Sequence, residues 1–346
     1  MAIGKAAAGW PKGVTPTPEF EAARAYIANG DGHLFVTGKA GTGKSTLLRA
    51  LRGGDNDTSS VVLAPTGLAA VQVGGQTIHS FFGLPPRLVK PEDVKPSRRL
   101  GLMRKLRTLV IDEVSMVRSD LMEGIDRSLR LNRKRPHDPF GGVRLVLFGD
   151  PHQLPPVVQE GELRQYLEEK FGGPFFFNAP GFANSDSRLI ELSTVFRQAG
   201  GPFLDALNAL REGAPGDRAL ALLNGRVKPF LELKDRDAYV ILTPTNQVAN
   251  ELNQLFLNQL PGKEWINEAE ITGSYAEGAH PTEQALLLKE GAKVIMIRND
   301  ADRRWVNGTL AKVSRLEGDQ VWIEIDGEEH EVEPATCSTI LSALAS

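Results

Sequence analysis

The sequence predicts an α/β fold in which helices cover both faces of a parallel sheet. Three observations predict it: short apolar strands alternate with helical stretches, a glycine-rich loop joins one strand to a helix, and an acidic pair follows another strand. Parallel strands need crossover connections, and helical crossovers cover both faces of the sheet. The second half of the chain contains a further buried strand and a periodic helix, and its last part contains short strands separated by turns, which predict a small unit of antiparallel strands.

The predicted strands of the first half are short, aliphatic or β-branched, and bounded by turn residues. They lie at residues 34–37, 61–64, 108–111 and 143–148. A helix at residues 19–29 precedes them, because Thr17 offers a side-chain cap before it and Gly30 ends it. In the second half, residues 239–242 are predicted as a buried strand and residues 247–260 as a helix. The antiparallel unit is predicted to contain strands at 294–297, 310–313 and 321–325.

Breaks in this alternation divide the chain into predicted domains. Four prolines interrupt residues 83–106, which are therefore predicted to leave the first sheet as an excursion. The predicted division is a flexible lead-in at 1–18, a first α/β domain at 19–188, a partial second domain at 189–291, the antiparallel unit at 292–335 and a tail at 336–346.

Residues 38–45 match the phosphate-binding pattern G-x-x-x-x-G-K-[ST] completely, between a predicted strand and a predicted helix. Glycines let such a loop turn its N–H groups toward a β-phosphate. Lys44 is predicted to reach the β- and γ-phosphates, and the Ser45 hydroxyl to ligate Mg²⁺. The fold class is therefore that of a P-loop nucleoside triphosphatase, with ATP as substrate and Mg²⁺ as cofactor. The predicted ATP-binding residues are Gly38, Gly41, Thr42, Gly43, Lys44, Ser45 and Thr46.

Two further segments complete the predicted catalytic set. The strand at 108–111 ends in Asp112 and Glu113; Asp112 is predicted to hold the metal and Glu113 to orient or deprotonate the attacking water. An acidic pair at a strand end is by itself a weak signal, but it follows a complete phosphate loop. After the strand ending at residue 148, a turn is predicted to bring Gln153 near the γ-phosphate. His152 is interpreted as structural, because no partner ligands stand at metal-binding spacing.

Composition limits the remaining possibilities. The chain has 346 residues, 41% of them hydrophobic, and a formal net charge of −3, so nucleic-acid binding would depend on a local groove. No apolar run approaches the roughly 20 residues that span a bilayer, and no secretory signal is predicted. The single cysteine, Cys337, fits a reducing compartment, so we predict a cytoplasmic protein with no membrane partner.

Six motifs occur in a characteristic order along the chain. They are Gly-Lys-Ala-Gly-Thr-Gly-Lys-Ser from residue 38, Ala-Pro-Thr-Gly-Leu-Ala-Ala from 64, Thr-Ile-His-Ser-Phe-Phe from 77, Ile-Asp-Glu-Val-Ser-Met from 111, Gly-Asp-Pro-His-Gln-Leu-Pro-Pro from 149 and Val-Phe-Arg-Gln from 195. This set resembles the Pif family of superfamily I DNA helicases, relatives of RecD. The resemblance implies tandem RecA-like parallel sheets that clamp ATP, the second of them incomplete in this sequence, followed by a small β-barrel-like unit. It implies 5′ to 3′ movement on single-stranded DNA and unwinding of duplex. It also implies that Arg197 is the arginine that the second domain supplies to the γ-phosphate.

The resemblance further implies DNA contacts at two matched loops, one in each predicted domain. The implied DNA-binding residues are Thr66, His79, Phe81, Thr243 and Asn246. For His79 a buried, hydrogen-bonded role is equally compatible with the sequence, and Phe81 is also compatible with a core position. The expected partners are single-stranded DNA and duplex junctions, and a monomer is favoured.

Two basic clusters remain to be interpreted. The one at 98–107 lies in the excursion where the family keeps its strand-separating element, and it is the better DNA candidate. The one at 127–135 is interpreted as a solvated helix face.

Two departures from the family pattern leave alternatives open. Phe20 occupies the position of a glutamine that reads adenine, and a phenyl ring can stack on a base but cannot form the paired hydrogen bonds. The family's C-terminal arginine segment does not occur in this sequence. One alternative is therefore a truncated module that binds nucleotide and single-stranded DNA without turnover. Another is a P-loop ATPase that acts on RNA.

Overall fold

The computed structural model describes residues 10, 13–29, 32–51, 59–158, 160–196, 201–227, 240–270, 284–297, 300, 302, 304–305, 308–318 and 320–334. The chain divides into two compact units, Met1–Val227 and Lys228–Ser346, each with its own sheets.

The first unit is built on a six-stranded sheet in which every pair of neighbours is parallel. Its strands are β1 (His33–Gly38), β2 (Ser60–Ala64), β3 (Gln76–Thr77), β4 (Thr108–Ile111), β5 (Arg144–Phe148) and β6 (Ser187–Leu192). Their order across the sheet is β3-β2-β4-β5-β1-β6. Because all six run in one direction, their carboxyl ends lie along one edge. Ligands of open α/β sheets bind outside that edge.

Helices precede, connect and follow these strands. They are α1 (Pro18–Asn29), α2 (Lys44–Leu51), α3 (Gly67–Gln72), α4 (Ile78–Phe82), α5 (Leu100–Lys105), α6 (Ser119–Arg133), α7 (Glu162–Phe171), α8 (Pro180–Ala183), α9 (Pro202–Arg211) and α10 (Asp217–Asn224). Single turns of 3₁₀ helix lie at Pro91–Asp93, Val114–Met116, Pro139–Gly142 and Phe176–Asn178.

Two apolar clusters show that helices cover both faces of the sheet. On β4, Leu109 and Ile111 pack into the cluster that contains the buried side of α6, whereas Val110 packs into the cluster that contains α1 and α2. This period of two along a strand is the expected result of alternating side-chain direction. The predicted α/β fold with a parallel sheet is confirmed.

The structure corrects one predicted boundary. Residue 189 was predicted to begin the second domain, but β6 pairs with β1 along its whole length, from His33 opposite Ser187 to Gly38 opposite Leu192. Ile190 and Leu192 are buried in the core of the first unit, and this burial keeps the strand at that sheet edge. An apolar strand has the same composition in either sheet, so the sequence could not assign it.

The excursion at 83–106 leaves the sheet as predicted but is packed against the core. It contains the 3₁₀ turn Pro91–Asp93 and helix α5, and Leu84, Val89 and Met103 are buried in the cluster shared with α6. The prolines therefore interrupt the sheet while these three apolar side chains stay buried, whereas Leu100, at the start of α5, is 38% exposed.

In the residues that the structure describes, the second unit contains one long helix and antiparallel sheets. The helix is α11 (Asn246–Gln259), and the strands are β7 (Trp265–Glu268), β8 (Ala285–Leu288), β9 (Lys293–Ile295), β10 (Leu310–Glu317), β11 (Gln320–Ile325) and β12 (Glu328–Val332). Strands β7 and β8 form one antiparallel pair, and the others form a sheet in the order β12-β11-β10-β9. The predicted small antiparallel unit is confirmed.

The predicted buried strand at 239–242 is wrong for the part that the structure describes. Tyr239 lies outside the described residues, and Val240, Ile241 and Leu242 are neither in a strand nor buried, with Leu242 91% exposed. Their apolar composition favours a central parallel strand, but no described strand of this unit pairs with them. A second parallel sheet is therefore not found among the described residues of this unit.

Among the helices that the structure describes, none is both long and apolar enough to span a membrane.

Candidate nucleotide site and DNA-facing loops

Three functional segments meet at the carboxyl edge of the first sheet because their strands are neighbours. Strand β5 lies between β1 and β4, with Val36 opposite Phe148 and Ile111 opposite Leu147. The loops that follow these strands are residues 39–43, 112–113 and 149–153. Strand order thus gathers the glycine-rich loop, the acidic pair and the predicted γ-phosphate sensor at one place.

The glycine-rich loop requires glycine for both conformation and space. Gly38, Gly41 and Gly43 have φ values of 150°, 80° and 87°, in a region that L side chains rarely adopt. A Cβ at Gly38 would lie 2.6 Å from the carbonyl oxygen of Leu192, and one at Gly43 would lie 2.8 Å from Cζ of Phe20. The loop is therefore held tightly between β6 and α1.

Lys44 spans this loop at the start of α2. Its ammonium donates hydrogen bonds to the carbonyl oxygens of Gly38, at 2.6 Å, and Lys39, at 3.1 Å. Burial lowers the pKa of Lys44, while the carboxylates of Asp150 and Glu113 act in the opposite direction. The ammonium is thus a half-buried cation among carboxylates, beside backbone N–H groups of a helix start.

The hydroxyl side chains of the loop differ in their exposure. Thr42 is buried, and its Oγ1 donates to the carbonyl oxygen of Lys39 at 2.8 Å. This hydrogen bond stabilises the conformation of the loop. Ser45 and Thr46, in the first turn of α2, are exposed and can meet a ligand.

The acidic pair has one buried and one half-exposed member. Asp112 is 6% exposed, and burial raises its pKa to about 6, with Glu113 adding to the shift while the backbone N–H of Glu113 and the charge of Lys44 oppose it. A nearby divalent cation would favour the charged carboxylate. Glu113 has φ 50° and ψ 41°, and its N–H donates to Asp112 Oδ1 at 3.0 Å. This left-handed backbone is uncommon for a non-glycine residue and turns the chain sharply after β4.

These residues fit Mg²⁺. The ion commonly takes one or two protein oxygens and completes its octahedron with phosphate oxygens and water. The Asp112 carboxylate and the exposed Ser45 hydroxyl are oxygen donors of this kind. Over the described part of the chain, no group of three or more His, Cys, Asp or Glu side chains forms a metal site by itself.

Sequence reasoning missed Asp150, which lies at the centre of the third segment. Its side chain is fully buried and forms an ion pair with Arg211 of α9, at 2.8 Å from Nη2 to Oδ1. Gln153 Nε2 donates to Asp150 Oδ2 at 3.2 Å, and the N–H of His152 donates to Oδ1 at 3.1 Å. Burial acts to raise the pKa of Asp150, but the hydrogen bonds from Arg211 and His152 outweigh it and lower the pKa.

A usable signal for Asp150 was its position two residues after the apolar end of β5, within the same motif as Gln153. The sequence carried no signal for Arg211, which lies 61 positions further along the chain. His152 has an exposed side chain and contributes its backbone N–H.

The chain after β6 returns to the glycine-rich loop. The N–H of Phe196 donates to the carbonyl oxygen of Gly41 at 2.9 Å. The next residue, Arg197, lies outside the described residues, so its predicted role stays a prediction.

Phe20 does not offer a face to a base. It is 1% exposed beneath Gly43, and its ring centroid lies 5.7 Å from that of Trp10 and 6.1 Å from that of Phe196. The stacking role that the sequence left open for Phe20 is therefore not available in this structure. The half-exposed ring of this aromatic group is Phe196, at 49%.

In the first unit, the loops of the predicted DNA contacts are capped helix starts. Thr66 Oγ1 accepts from the N–H of Ala69 at 3.3 Å. Burial lowers the pKa of His79, and the nearby charge of Arg118 lowers it further, so its imidazole is neutral near pH 7. Phe81 is 3% exposed and packs edge to face on Phe82, which places its ring in the core and leaves no free face for a base.

The matching loop of the second unit has the same construction. Thr245 Oγ1 accepts from the N–H of Val248 and caps α11, while Thr243 Oγ1 donates to the carbonyl oxygen of Thr245 at 3.0 Å. Asn246 is exposed in the first turn of α11. Both loops thus place a threonine just before a helix start.

The basic cluster at 127–135 contributes to packing. Arg130 pairs with Asp126 at 2.7 Å, and Arg133 donates to the carbonyl oxygens of Met103, Leu106 and Gly141. In the cluster at 98–107, Arg99 donates to Gln76 Oε1 and lies over the Phe81 ring, at 5.9 Å from its centroid.

The site defines a P-loop nucleoside triphosphatase. It combines a glycine-rich loop and its lysine, between β1 and α2, with an acidic pair at the end of β4 of a parallel sheet. Residues 20–199 match the model of the PIF1-like helicase family. The chain belongs to the PIF1-like helicase family.

Relatives support this placement over most of the chain. The ATP-dependent DNA helicase Pif1 of Bdellovibrio bacteriovorus is 32% identical over 91% of this chain and 71% of its own length. Human PIF1 is 32% identical over 83% of this chain, which spans only 44% of the human protein. The solved structure of Bacteroides Pif1 in complex with ADP-AlF3 and single-stranded DNA matches 92% of this chain and 74% of that one, at 31% identity and a TM-score of 0.76.

Proposed function

We propose that this chain is an ATP-dependent DNA helicase that hydrolyses ATP with Mg²⁺, moves 5′ to 3′ along single-stranded DNA and unwinds duplex. The observation that carries the proposal is the position of Lys44, which spans a complete phosphate loop and interacts electrostatically with Asp112, Glu113 and Asp150. The similarity to proteins named ATP-dependent DNA helicases and to a Pif1 structure with ADP-AlF3 and single-stranded DNA supports the same function.

The proposed roles follow from charge and exposure. Lys44 and the N–H groups of the loop hold the phosphates. Glu113, half-exposed just past the end of β4, orients or deprotonates the attacking water. Ser45 and Asp112 hold Mg²⁺, which when bound supplies positive charge against the charge that develops on the phosphates. Gln153 senses the γ-phosphate, and Arg197 adds a second cation there.

The DNA-binding part of the proposal concerns the two capped loops. Thr66 and His79 follow the paired strands β2 and β3 of the first unit. These two residues, and Thr243 with Asn246 in the second unit, would each hold the sugar–phosphate backbone. Backbone contacts of this kind are independent of base sequence, as a translocating motor requires. Hydrolysis would cause the two loops to bind and release the DNA backbone in turn. Phe81 is left out of this proposal because its ring is buried. We further infer a cytoplasmic location, because the single cysteine of the sequence fits a reducing compartment.

The test is steady-state ATP hydrolysis with and without single-stranded DNA, followed by strand displacement on a duplex with a 5′ overhang. We expect stimulation by DNA that falls by at least about 100-fold in Lys44→Ala and in Glu113→Gln, because each removes a group that acts on the transferred phosphate or the water. Lys170→Ala, at the exposed end of α7, is the matched control and should hydrolyse ATP like the unmodified chain.

Two outcomes would contradict the proposal. Unchanged hydrolysis in Lys44→Ala would exclude the loop as the catalytic site. Binding of nucleotide and DNA without stimulated turnover would favour the alternative of a binding module. Competition between DNA and RNA oligonucleotides of one sequence tests the RNA alternative.

A further inference from the structure

Asp150 is the most completely buried carboxylate at the nucleotide edge, and its partner comes from a helix that none of the sequence motifs includes. Arg211 Nη2 lies 2.8 Å from Asp150 Oδ1, and Arg211 Nε lies 3.1 Å from Oδ2. The Arg211 side chain is itself only 17% exposed. The pair is therefore bidentate and largely desolvated. This geometry fixes the plane of the Arg211 guanidinium relative to the plane of the Asp150 carboxylate.

The same carboxylate holds Gln153. Oδ2 accepts from Gln153 Nε2 and Oδ1 accepts from the N–H of His152, so each oxygen joins Arg211 to the turn that follows β5. The N–H of Gln153 also donates to the carbonyl oxygen of Asp150 at 2.9 Å. A glutamine amide has two N–H donors, so one remains for a phosphate oxygen, and its carbonyl remains for a water.

A second contact joins the same end of α9 to the glycine-rich loop. Glu212, which follows α9, lies 3.6 Å from the ammonium of Lys39. This pair is exposed and weak. The buried Arg211–Asp150 pair therefore carries the connection between α9 and the nucleotide edge.

We infer that Arg211 is a positioning residue for ATP hydrolysis: through Asp150 it holds the amide of Gln153 in place to meet the γ-phosphate, and it makes α9 part of the nucleotide site. The inference rests on the proposed function. A buried carboxylate that loses its cation either draws in water or moves, and the Gln153 amide would then lose its fixed orientation. The hydrogen bonds of Lys44 to the carbonyl oxygens of Gly38 and Lys39 do not involve this pair, so the loop that holds the α- and β-phosphates keeps its own support.

The experiment compares Arg211→Met, Arg211→Lys and the exposed control Arg218→Met on α10, using the full chain. Two quantities are measured: kcat and KM for ATP with saturating single-stranded DNA, and the dissociation constants of fluorescent ADP and of a fluorescent non-hydrolysable ATP analogue. For Arg211→Met we expect kcat to fall about 10- to 100-fold, as for other residues that orient a catalytic group. The preference for the ATP analogue over ADP should disappear while ADP affinity changes less than about threefold. Arg211→Lys keeps the charge and should recover part of both effects.

If Arg211→Met does not fold, as judged by thermal unfolding, the neutral pair Asp150→Asn with Arg211→Met replaces it, because it leaves no unpaired buried charge. The neutral pair should bind ADP normally and lack the preference for the ATP analogue.

Some results would overturn the inference. The inference is overturned if Arg211→Met keeps the kcat and the nucleotide preference of the unmodified chain. It is also overturned if Arg218→Met has an equal effect, or if Arg211→Met loses ADP binding and analogue binding equally. Absence of any preference in the unmodified chain would also overturn it. A chain that shows no DNA-stimulated hydrolysis, but loses its analogue preference in Arg211→Met, would contradict the proposed function and support this inference.

Discussion

Arg133→Met tests whether the second basic cluster supports the fold or contacts DNA. The Arg133 guanidinium donates to the carbonyl oxygens of Leu106 at 2.6 Å, Met103 at 2.7 Å and Gly141 at 2.7 Å, and so joins the ends of α5 and α6 to the turn after α6. Met103 and Leu106 are fully buried residues of the core cluster. A methionine keeps most of the side chain's volume but leaves these acceptors without their donor.

The expected loss of unfolding free energy is calculated from the carbonyl groups of the two buried residues, Met103 and Leu106. An unsatisfied buried acceptor costs about 1–3 kcal/mol, and water can reach a half-buried arginine site, so the lower half of that range applies to each. The expected loss is therefore about 2–4 kcal/mol of unfolding free energy. For a unit of this size that corresponds to a fall of roughly 4–16 °C in Tm.

Thermal unfolding followed by circular dichroism measures this loss, with Arg127→Met as the control on the same helix. Arg127 has a side chain that is 43% exposed and pairs within one helix with Glu123, four residues away, so its loss should cost only about 0.3–0.5 kcal/mol. Single-stranded DNA affinity should be unchanged in both variants. Equal Tm shifts in the two variants, or a large loss of DNA affinity in Arg133→Met without a Tm shift, would refute the reasoning.

Two further predictions concern the nucleotide loop and the pH dependence of stability. In Gly43→Ala the new Cβ would lie 2.8 Å from Phe20 Cζ at a φ of 87°, so we expect at least about a 10-fold loss of affinity for a fluorescent ATP analogue. Gly101→Ala, in α5 with open space around its Cα, should bind the analogue normally, and reduced binding there would contradict the steric argument. Burial, together with the charge of Arg144, lowers the pKa of His33 to about 4, and its Nδ1 accepts from the N–H of Leu145. Because the folded pKa lies below the unfolded value, the stabilising effect of neutral His33 is complete above about pH 6.5 and is lost as the pH falls toward 4, by about 2 kcal/mol at pH 5. Urea unfolding at pH 7.5 and 5 measures this, and His33→Gln should show a smaller pH difference; an equal difference would exclude His33 as its source.

Much of the candidate site could be predicted because it is local in sequence. The loop from Gly38 to Ser45 needs only its own glycines, lysine and flanking elements. Asp112 and Glu113 need only the strand before them. Each of these motifs specifies its own backbone, so the pattern and the geometry coincide.

Other features could not be predicted because they depend on which segments meet. The sequence left a stacking role on a base open for Phe20, whereas the structure buries the ring beneath Gly43. For Phe81 the sequence allowed either a DNA contact or a core position, and the structure buries the ring against Phe82. An aromatic ring has the same identity in a core as on a surface, and burial is decided by neighbours far away in the chain.

The sequence by itself determined the alternation of strands and helices, the phosphate loop and the acidic pair, because hydrophobic period and glycine spacing act over short distances. Only the tertiary structure decided the strand order that brings β1, β5 and β4 together, and the pairing of β6 with β1. It alone identified the bond between Asp150 and Arg211, two residues 61 positions apart. The physical reason is that an ion pair forms where burial removes both charges from water, and burial is a property of the packed chain.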